Sequence, residues 1–468
     1  MKKVILFLGV AFSAHLFAQI DMGLPTASGK GGVATALVGN YEAIGINPSN
    51  LGLGDNYKFS FTLANAGLTA QSKALKLGEL RNALANPNDT FTAAEKQIYT
   101  NLFTTEDGLN LNANVNWFAA SLYFPKFGGI AVNMRDRAFG NVSLSQNAAD
   151  FIFNGINSVA YQDSSVYSQY MSQIFNGTSM AYLHYREMNI SYGRKLFGFG
   201  TEDDKGRQAV EVFGGVGFKY LWGLGNVDAK ITNSLVAGTA SFSTKYNINY
   251  GNIQNFNPQS VGSIFNAVGT GVATDFGATV VLKGTMRFAI AANDLGSINW
   301  KNNVLLGGDT LMPQLDSNDV GLNSWNMSSP SFLFGDNAVI NYTPGTDYKN
   351  KLPSRLRFGY GMTIGEKIMI GADVVLPLNN SAYNLETMFV ALGGEIKLGS
   401  AIRFNMGVSG SSDLGWNLPC GLIIGPLGFL ELGLATGDVL TFVDKSKNPN
   451  MSLALGLIRF NFGNDDAE

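Results

Sequence analysis

The sequence predicts an all-β protein, an antiparallel transmembrane β-barrel of about fourteen strands, and three observations carry that expectation. The C-terminal half alternates apolar with small or charged residues, hairpin after hairpin. The chain opens with an export-type leader, and no later apolar run is long enough to cross a bilayer as a helix. Its final strand closes on aromatic residues.

The alternation is clearest over residues 354 to 364. Leu356, Phe358, Tyr360, Met362 and Ile364 share one parity, and Arg355, Arg357, Gly359, Gly361 and Thr363 share the other. Successive strand side chains point to opposite faces, so one face is apolar and the other wet. The pattern resumes after the Gly365-Glu366 turn, with Ile368, Ile370, Ala372, Val374 and Leu376 against Gly371 and Asp373. It recurs with Val390, Leu392 and Ile396 against Glu395 and Lys397, and with Ile402, Phe404, Met406 and Val408 against Arg403 and Asn405. A soluble sandwich would share this alternation. The chain ends favour the membrane.

Met1-Lys2-Lys3, the apolar run Val4 to Phe12 and the small exit residue Ala18 have the layout of a secretory signal peptide over 1–18. Its apolar part falls short of the ~20 residues of a spanning helix. Export without spanning helices leaves a soluble exported protein or an outer-membrane barrel. Residues 451 to 462 form a strand ending on Phe460 and Phe462, which resembles the terminal signal read by barrel-assembly machinery. The expected location is the outer membrane.

A bacterial barrel alternates short turns on one side with long loops on the other. Strands near 57–66, 112–124, 127–138, 180–197, 209–222, 272–283, 285–296, 354–364, 367–378, 386–397, 401–411, 416–424, 428–436 and 451–462 satisfy that rule. Residues 227–250 also alternate and are assigned to an outer hairpin, although spanning strands there would raise the count to sixteen. Residues 72 to 100, with Leu75, Leu77, Leu80 and Leu84 on one face, read as a helix over the barrel mouth. The division is 1–18 leader, 19–56 N-terminal segment, 57–462 barrel and 463–468 tail.

Composition agrees and excludes several function classes. Charged residues make up 14% of the chain, against roughly 25% in soluble domains. The 56 glycines suit tight turns and lumen-facing positions. Loss of Lys2 and Lys3 with the leader takes the formal charge from -3 to -5, which offers nothing to nucleic acid. Cys420 is the only cysteine, so the chain has no internal disulfide. After the leader, His184 is the only histidine; it is placed in the polar rim, and neither a multi-histidine metal site nor a catalytic triad is expected. The stretch Thr201 to Gly206 lacks the alternating ligands of a calcium loop and reads as a solvated turn. The chain is read as a non-enzyme without cofactor or metal.

Between leader and first strand lies a small-residue segment that can thread a narrow space, Gly29-Lys30-Gly31-Gly32-Val33-Ala34-Thr35-Ala36-Leu37-Val38-Gly39-Asn40, continuing through Ala43 to Asn47-Pro48-Ser49-Asn50-Leu51. It lacks the GK[ST] of a phosphate loop. It resembles the start of the FadL-like outer-membrane proteins, the long-chain fatty acid transporters and their relatives, among them the PorV component of type IX secretion. Gly31, Gly32, Ala34, Ala36, Gly39, Ala43, Asn47, Pro48 and Leu51 carry the likeness, with Ser49 and Asn40 where Ala and Asp are common.

That resemblance implies a fourteen-stranded barrel whose N-terminal segment folds back as a hatch in the lumen. Gly31, Gly32, Asn47 and Pro48 become hatch and gating candidates. It implies uptake or binding of a hydrophobic small molecule, with outer-membrane lipid around the barrel. The alternative is a PorV-like barrel holding a secreted or outer-membrane protein partner. Arg355, Arg357, Asp373, Glu395 and Arg403 are lumen-facing candidates, and their mixed signs predict mutual pairing around a packed hatch. Phe213 and Phe389 are inner-face apolar residues placed near the mouth.

Overall fold

The computed structural model describes residues 23–463 except 55–57, 73–85, 87–88, 104–108, 205, 233–234, 249, 251–252, 254–255, 260–263, 313–320, 325–340, 366, 400, 413–414, 426–429 and 444–449. Fourteen antiparallel strands close into a barrel. They are β1 (Phe59–Ser72), β2 (Leu109–Phe124), β3 (Gly128–Ser143), β4 (Ser179–Glu202), β5 (Gln208–Thr232), β6 (Gly269–Leu282) and β7 (Met286–Trp300). The second half holds β8 (Arg355–Ile364), β9 (Ile368–Pro377), β10 (Phe389–Lys397), β11 (Ile402–Ser411), β12 (Cys420–Ile424), β13 (Leu430–Thr436) and β14 (Asn450–Phe462). Each strand pairs with the next, and β14 closes on β1 from Phe59↔Phe462 to Gln71↔Asn450. Closure leaves no unpaired edge to meet lipid.

Parity dictates the two faces. Outside, Ile190, Phe218, Phe276, Ile290, Phe358, Leu392, Met406 and Leu434 are exposed around the wall. Such an apolar band is favourable only against hydrocarbon. Inside, Arg135, Asn189, Lys219, Asp275, Arg357, Asp373 and Asn405 are buried. Short turns such as 125–127, 283–285 and 365–367 lie at one end of the barrel, with β1's start and β14's end; this is the turn end. The long connections lie at the opposite, loop end.

Residues 23–54 run through the lumen as a plug, nearly all of it buried. It contains the one-turn helix α1 (Pro25–Ser28) and 3-10 turns over Asn40–Ala43 and Pro48–Leu53. Its apolar residues Val38, Tyr41, Ile44, Ile46 and Leu51 pack with Ala119 of β2 and Ala131 of β3.

At the loop end, β4 and β5 run for 24 and 25 residues, well beyond the ~10 needed to span. Residues Gly225–Thr232 of β5 pair with the outer strand Leu235–Phe242, so this part of the 227–250 segment is an outer hairpin, followed by the 3-10 turn Thr244–Tyr246, and the count stays at fourteen. Beneath it lies an apolar core that joins α2 (Ala93–Leu102) and α3 (Gln146–Asn154) to the upper wall through Tyr99, Phe151, Phe153, Phe175, Tyr182 and Phe242.

The structure corrects several sequence boundaries. Strand β1 continues to Ser72 rather than ending at 66, because it stays paired with β2 as far as Leu109. The stretch near 416–424 divides into Gly415–Asn417 and Cys420–Ile424, interrupted at Leu418-Pro419, since proline has no N–H for the ladder. His184 is half-buried, and its Nδ1 and the Tyr246 hydroxyl of the turn Thr244–Tyr246 hydrogen-bond to each other. Cys420 is half-buried at the start of β12. The leader, the 464–468 tail and the four leucines of the expected loop helix lie outside the described residues.

Candidate functional site: the plug and its cradle

The plug threads the barrel because the wall makes room for it. An added Cβ at Gly215 of β5 would stand 2.3 Å from the Pro48 carbonyl carbon, and at Gly193 of β4 2.2 Å from the Pro48 oxygen. Across the lumen, a Cβ at Gly393 of β10 would lie 2.4 Å from the Lys30 oxygen. These glycines permit direct backbone approach, the use that glycine in a strand commonly signals. In the plug, Gly31 and Gly32 have φ of +72° and +95°. A side chain at Gly31 would also meet Pro419 and Ser409, within 2.9 Å.

Asn47 is a hydrogen-bonding node. Its amide donates to the Thr35 carbonyl (2.9 Å), to Asn50 Oδ1 (3.1 Å) and to the Thr279 hydroxyl of β6 (2.9 Å). Its Oδ1 accepts from the Ser49 hydroxyl (2.7 Å) and the Ser49 N–H (3.2 Å), which caps the 3-10 turn started by Pro48. Asn50 adds bonds to the carbonyls of Thr35 (3.0 Å) and Val38 (2.8 Å). Two strips of the plug, near 35 and near 47–50, are thus locked together and to one wall strand.

Two further contacts tie plug to wall. Asp373 Oδ2 of β9 accepts from the Thr35 hydroxyl (2.6 Å), the Thr35 N–H (2.9 Å) and the Ala34 N–H (3.2 Å). Arg459 of β14 pairs with Glu42 (2.6 Å) and donates to the Tyr41 hydroxyl (2.6 Å). Burial pushes the Tyr41 phenol up to about 12 against the opposing pull of the Arg459 guanidinium, so it stays protonated. Arg459 belongs to a chain that continues through Glu431 (3.6 Å) and Arg403 (2.6 Å) to Glu395 (3.7 Å).

Of the lumen candidates, Arg355, Arg357, Asp373 and Glu395 are buried inside, and Arg403 is partly exposed. Mutual pairing joins Glu395 to Arg403. Asp373 holds plug backbone and is also attracted by the Arg357 guanidinium, and Arg355 donates to the Asn384 side chain at 3.3 Å. Phe389 packs with Val33 and Leu37 of the plug. Phe213 is also an inner residue, but it lies near the β5 start at the turn end and not at the loop mouth.

A second buried ionic group, on the other side of the lumen, was not singled out from the sequence. Lys219 of β5 meets Asp275 (2.9 Å) and Asp294 (2.5 Å), Asp294 meets Arg137 (2.9 Å), and Arg135 meets Glu187 (2.6 Å). Asp294 has φ +57° and sits at a register shift between β6 and β7. Its N–H donates to Asp275 Oδ1 at 2.8 Å, so this left-handed residue is held by three partners. Strand parity with Gly215 and Gly217 would have placed Lys219 inside. Among the described residues no cluster of metal-ligating side chains is present.

A family model described as a family of unknown function (DUF5723) matches residues 52–429. No curated protein matches the chain. Among solved structures it is similar to the deltaS2S3 mutant of the TodX monoaromatic hydrocarbon channel, at 9% identity and a TM-score of 0.47 over 96% of this chain and 99% of that one. It is similar to the Pseudomonas putida toluene transporter TodX, at 10% identity and 0.42 over 95% and 97% of the two chains. A Pseudomonas aeruginosa FadL homologue gives 9% identity and 0.41 over 94% and 98%.

Proposed function

The chain belongs to the DUF5723 family of unknown function, and starting there we propose that it is an outer-membrane barrel that admits a hydrophobic small molecule when its N-terminal segment shifts. One observation carries the gating half of this reading: the plug fills the lumen yet is fixed by a few polar latches, at Asn47–Thr279, Asp373–Thr35 and Arg459–Glu42. Latches of this kind can exchange partners without unfolding the wall. The substrate class is the one implied by the resemblance of residues 29–51 to FadL-like proteins. The contact of Phe389 and Leu385 with Val33 and Leu37 supports it, since moving the plug would uncover apolar surface within the lumen. In this reading the turn end faces the periplasm, and Gly31, Gly32, Asn47 and Pro48 position the hatch.

The PorV-like alternative, a barrel that holds a protein partner, is favoured by the packed cap at the loop end, where Tyr99, Phe151 and Phe153 join the upper wall in one core. A cap fixed to the wall by apolar packing offers a preformed outer surface on which a protein partner could dock.

Uptake distinguishes the two. Cells deleted for their own hydrophobic-solute barrels would receive the wild-type chain or Asn47→Leu, and entry of a labelled long-chain apolar probe would be followed. Gated transport requires uptake with the wild-type chain and an altered rate with the variant. Background uptake with both would sink the transport reading and leave the docking one.

A further inference from the structure

A cavity of about 630 Å3 opens at the turn end, beneath the plug, between its Lys30–Glu42 stretch and the turns that follow β6, β8 and β10. Seven basic and three acidic side chains line it. The acids are already engaged: Glu42 with Arg459, Glu431 with Arg403 at 2.6 Å, and Glu395 with Arg403 at 3.7 Å. Arg207 pairs outside the lining, with Asp203 at 2.8 Å. Lys30, Lys367 and Lys397 have no hydrogen bond or ion pair from their side chains among the described residues.

Lys30 decides what the excess charge means. Exposed lysines on a wet surface are ordinary, but Lys30 is carried by the plug, is 2% exposed and is one of the residues that line this cavity. A buried ammonium without a counter-charge is unfavourable, and a compact lysine charge is a common partner of phosphate. We infer that this vestibule is an anion site for a phosphate group, held by Lys30 on the plug and by Lys397 and Lys367 at the wall. A phosphate in it would bridge plug and barrel and act as a removable tether at the turn end. The inference does not rest on the transport reading, because it concerns anion binding beneath the plug whatever the barrel admits.

The group has two sources, free phosphate and the headgroup of an anionic phospholipid. Isothermal titration calorimetry of inorganic phosphate into the full chain, in lipid-free and phosphate-free detergent, tests the first. Phosphorus NMR of the barrel in phosphatidylglycerol nanodiscs tests the second. The expected result is one saturable site in either assay, weakened about tenfold or more by Lys30→Met and by Lys397→Met, and untouched by Lys349→Met at the loop end. Heat-dependent gel migration establishes that each variant is folded. Saturation by free phosphate assigns the ion, and a shifted headgroup line lost in Lys30→Met assigns the lipid. No saturable signal in either assay would overturn the inference, and so would wild-type binding in both Lys30→Met and Lys397→Met.

Discussion

Asp373 and Thr35, 338 positions apart in the chain, meet inside the barrel with the Thr35 hydroxyl 2.6 Å from Asp373 Oδ2. The same oxygen accepts the N–H groups of Thr35 and Ala34, so one wall carboxylate fixes two consecutive plug residues. Carboxylates usually satisfy a buried charge with a cation. This one has, besides the attraction of Arg357, two plug N–H groups and a plug hydroxyl, which ties its position to that of the plug.

Removing that carboxylate should loosen the plug without dismantling the wall. Hydrogen bonds to a charged group contribute about 1.5–3 kcal/mol each, so Asp373→Ala should raise the displaced-plug population at least severalfold. The readout is trypsin cleavage after Lys30, a buried site in the closed state. Faster cleavage with unchanged heat-dependent gel migration is expected, and a cleavage rate equal to wild type would show that Asp373 is no latch.

The glycine cradle makes a steric prediction. A Cβ at Gly215 would lie 2.3 Å from both the Pro48 carbonyl carbon and the Ser49 N, two backbone atoms that cannot rotate away. Gly215→Ala should therefore strain the closed state by about 1–3 kcal/mol, the usual range for overpacking, and increase cleavage after Lys30. Gly308→Ala, whose new Cβ would meet nothing closer than 3.9 Å, should behave as wild type. Equal cleavage in the two variants would argue that the plug does not press on β5.

Much of this wall was legible in the sequence, and the reason is geometric. A period of two fixes the face of every strand residue once one is known, so Arg357, Asp373 and Glu395 could be placed inside from their neighbours alone. Short turns and long loops then set the strand count. Partner choice was not legible, because Glu42 meets Arg459 across 417 positions and nothing local encodes that pairing. The loop-end core was equally hidden: residues 146–175 fold as short helices and turns, whose apolar residues carry no period-two pattern. Lys219 and Asp275 had the right parity, yet only the register of β5 against β6 brings them level, at the Gly217↔Asp275 and Lys219↔Ala273 pairs.

The cap helix α2 should depend on pH. Thr92 and Glu95 form a reciprocal capping box: the Thr92 N–H donates to Glu95 at 2.7 Å, and the Glu95 N–H donates to the Thr92 hydroxyl at 3.2 Å. The Thr92 backbone N–H, and then its hydroxyl, hold the Glu95 carboxyl below its ordinary value. A depressed folded-state pKa contributes stability above the unfolded value, and that contribution is lost as pH falls through the folded one. Protection factors for amide exchange across 93–102, corrected for the intrinsic rate at each pH, should fall on acidification through the carboxylate range. In Thr92→Ala the helix should lose about 1 kcal/mol at neutral pH and much of that acid response. An acid response equal to wild type in the variant would show that another group controls the helix.

Lys219 offers the sharpest test of the wall itself. Its ammonium lies between Asp275 and Asp294, fully buried, while Asp294 alone has Arg137 as a second cation. Deleting one partner of a buried pair leaves an uncompensated charge, at a cost of about 3–5 kcal/mol. Lys219→Met should therefore lower the temperature at which the barrel loses its folded gel migration. The deficit falls mainly on Asp275, because Asp294 keeps Arg137 at 2.9 Å. Neutralising Asp275 in the same chain should then recover much of the loss, so Lys219→Met with Asp275→Asn should be more stable than Lys219→Met alone. If the double variant is the less stable of the two, the charge of Asp275 is satisfied by its hydrogen-bond donors, the Asp294 N–H at 2.8 Å among them, and not by the ion pair. Asp275 would then be an anchor for the left-handed bulge and not a counter-charge.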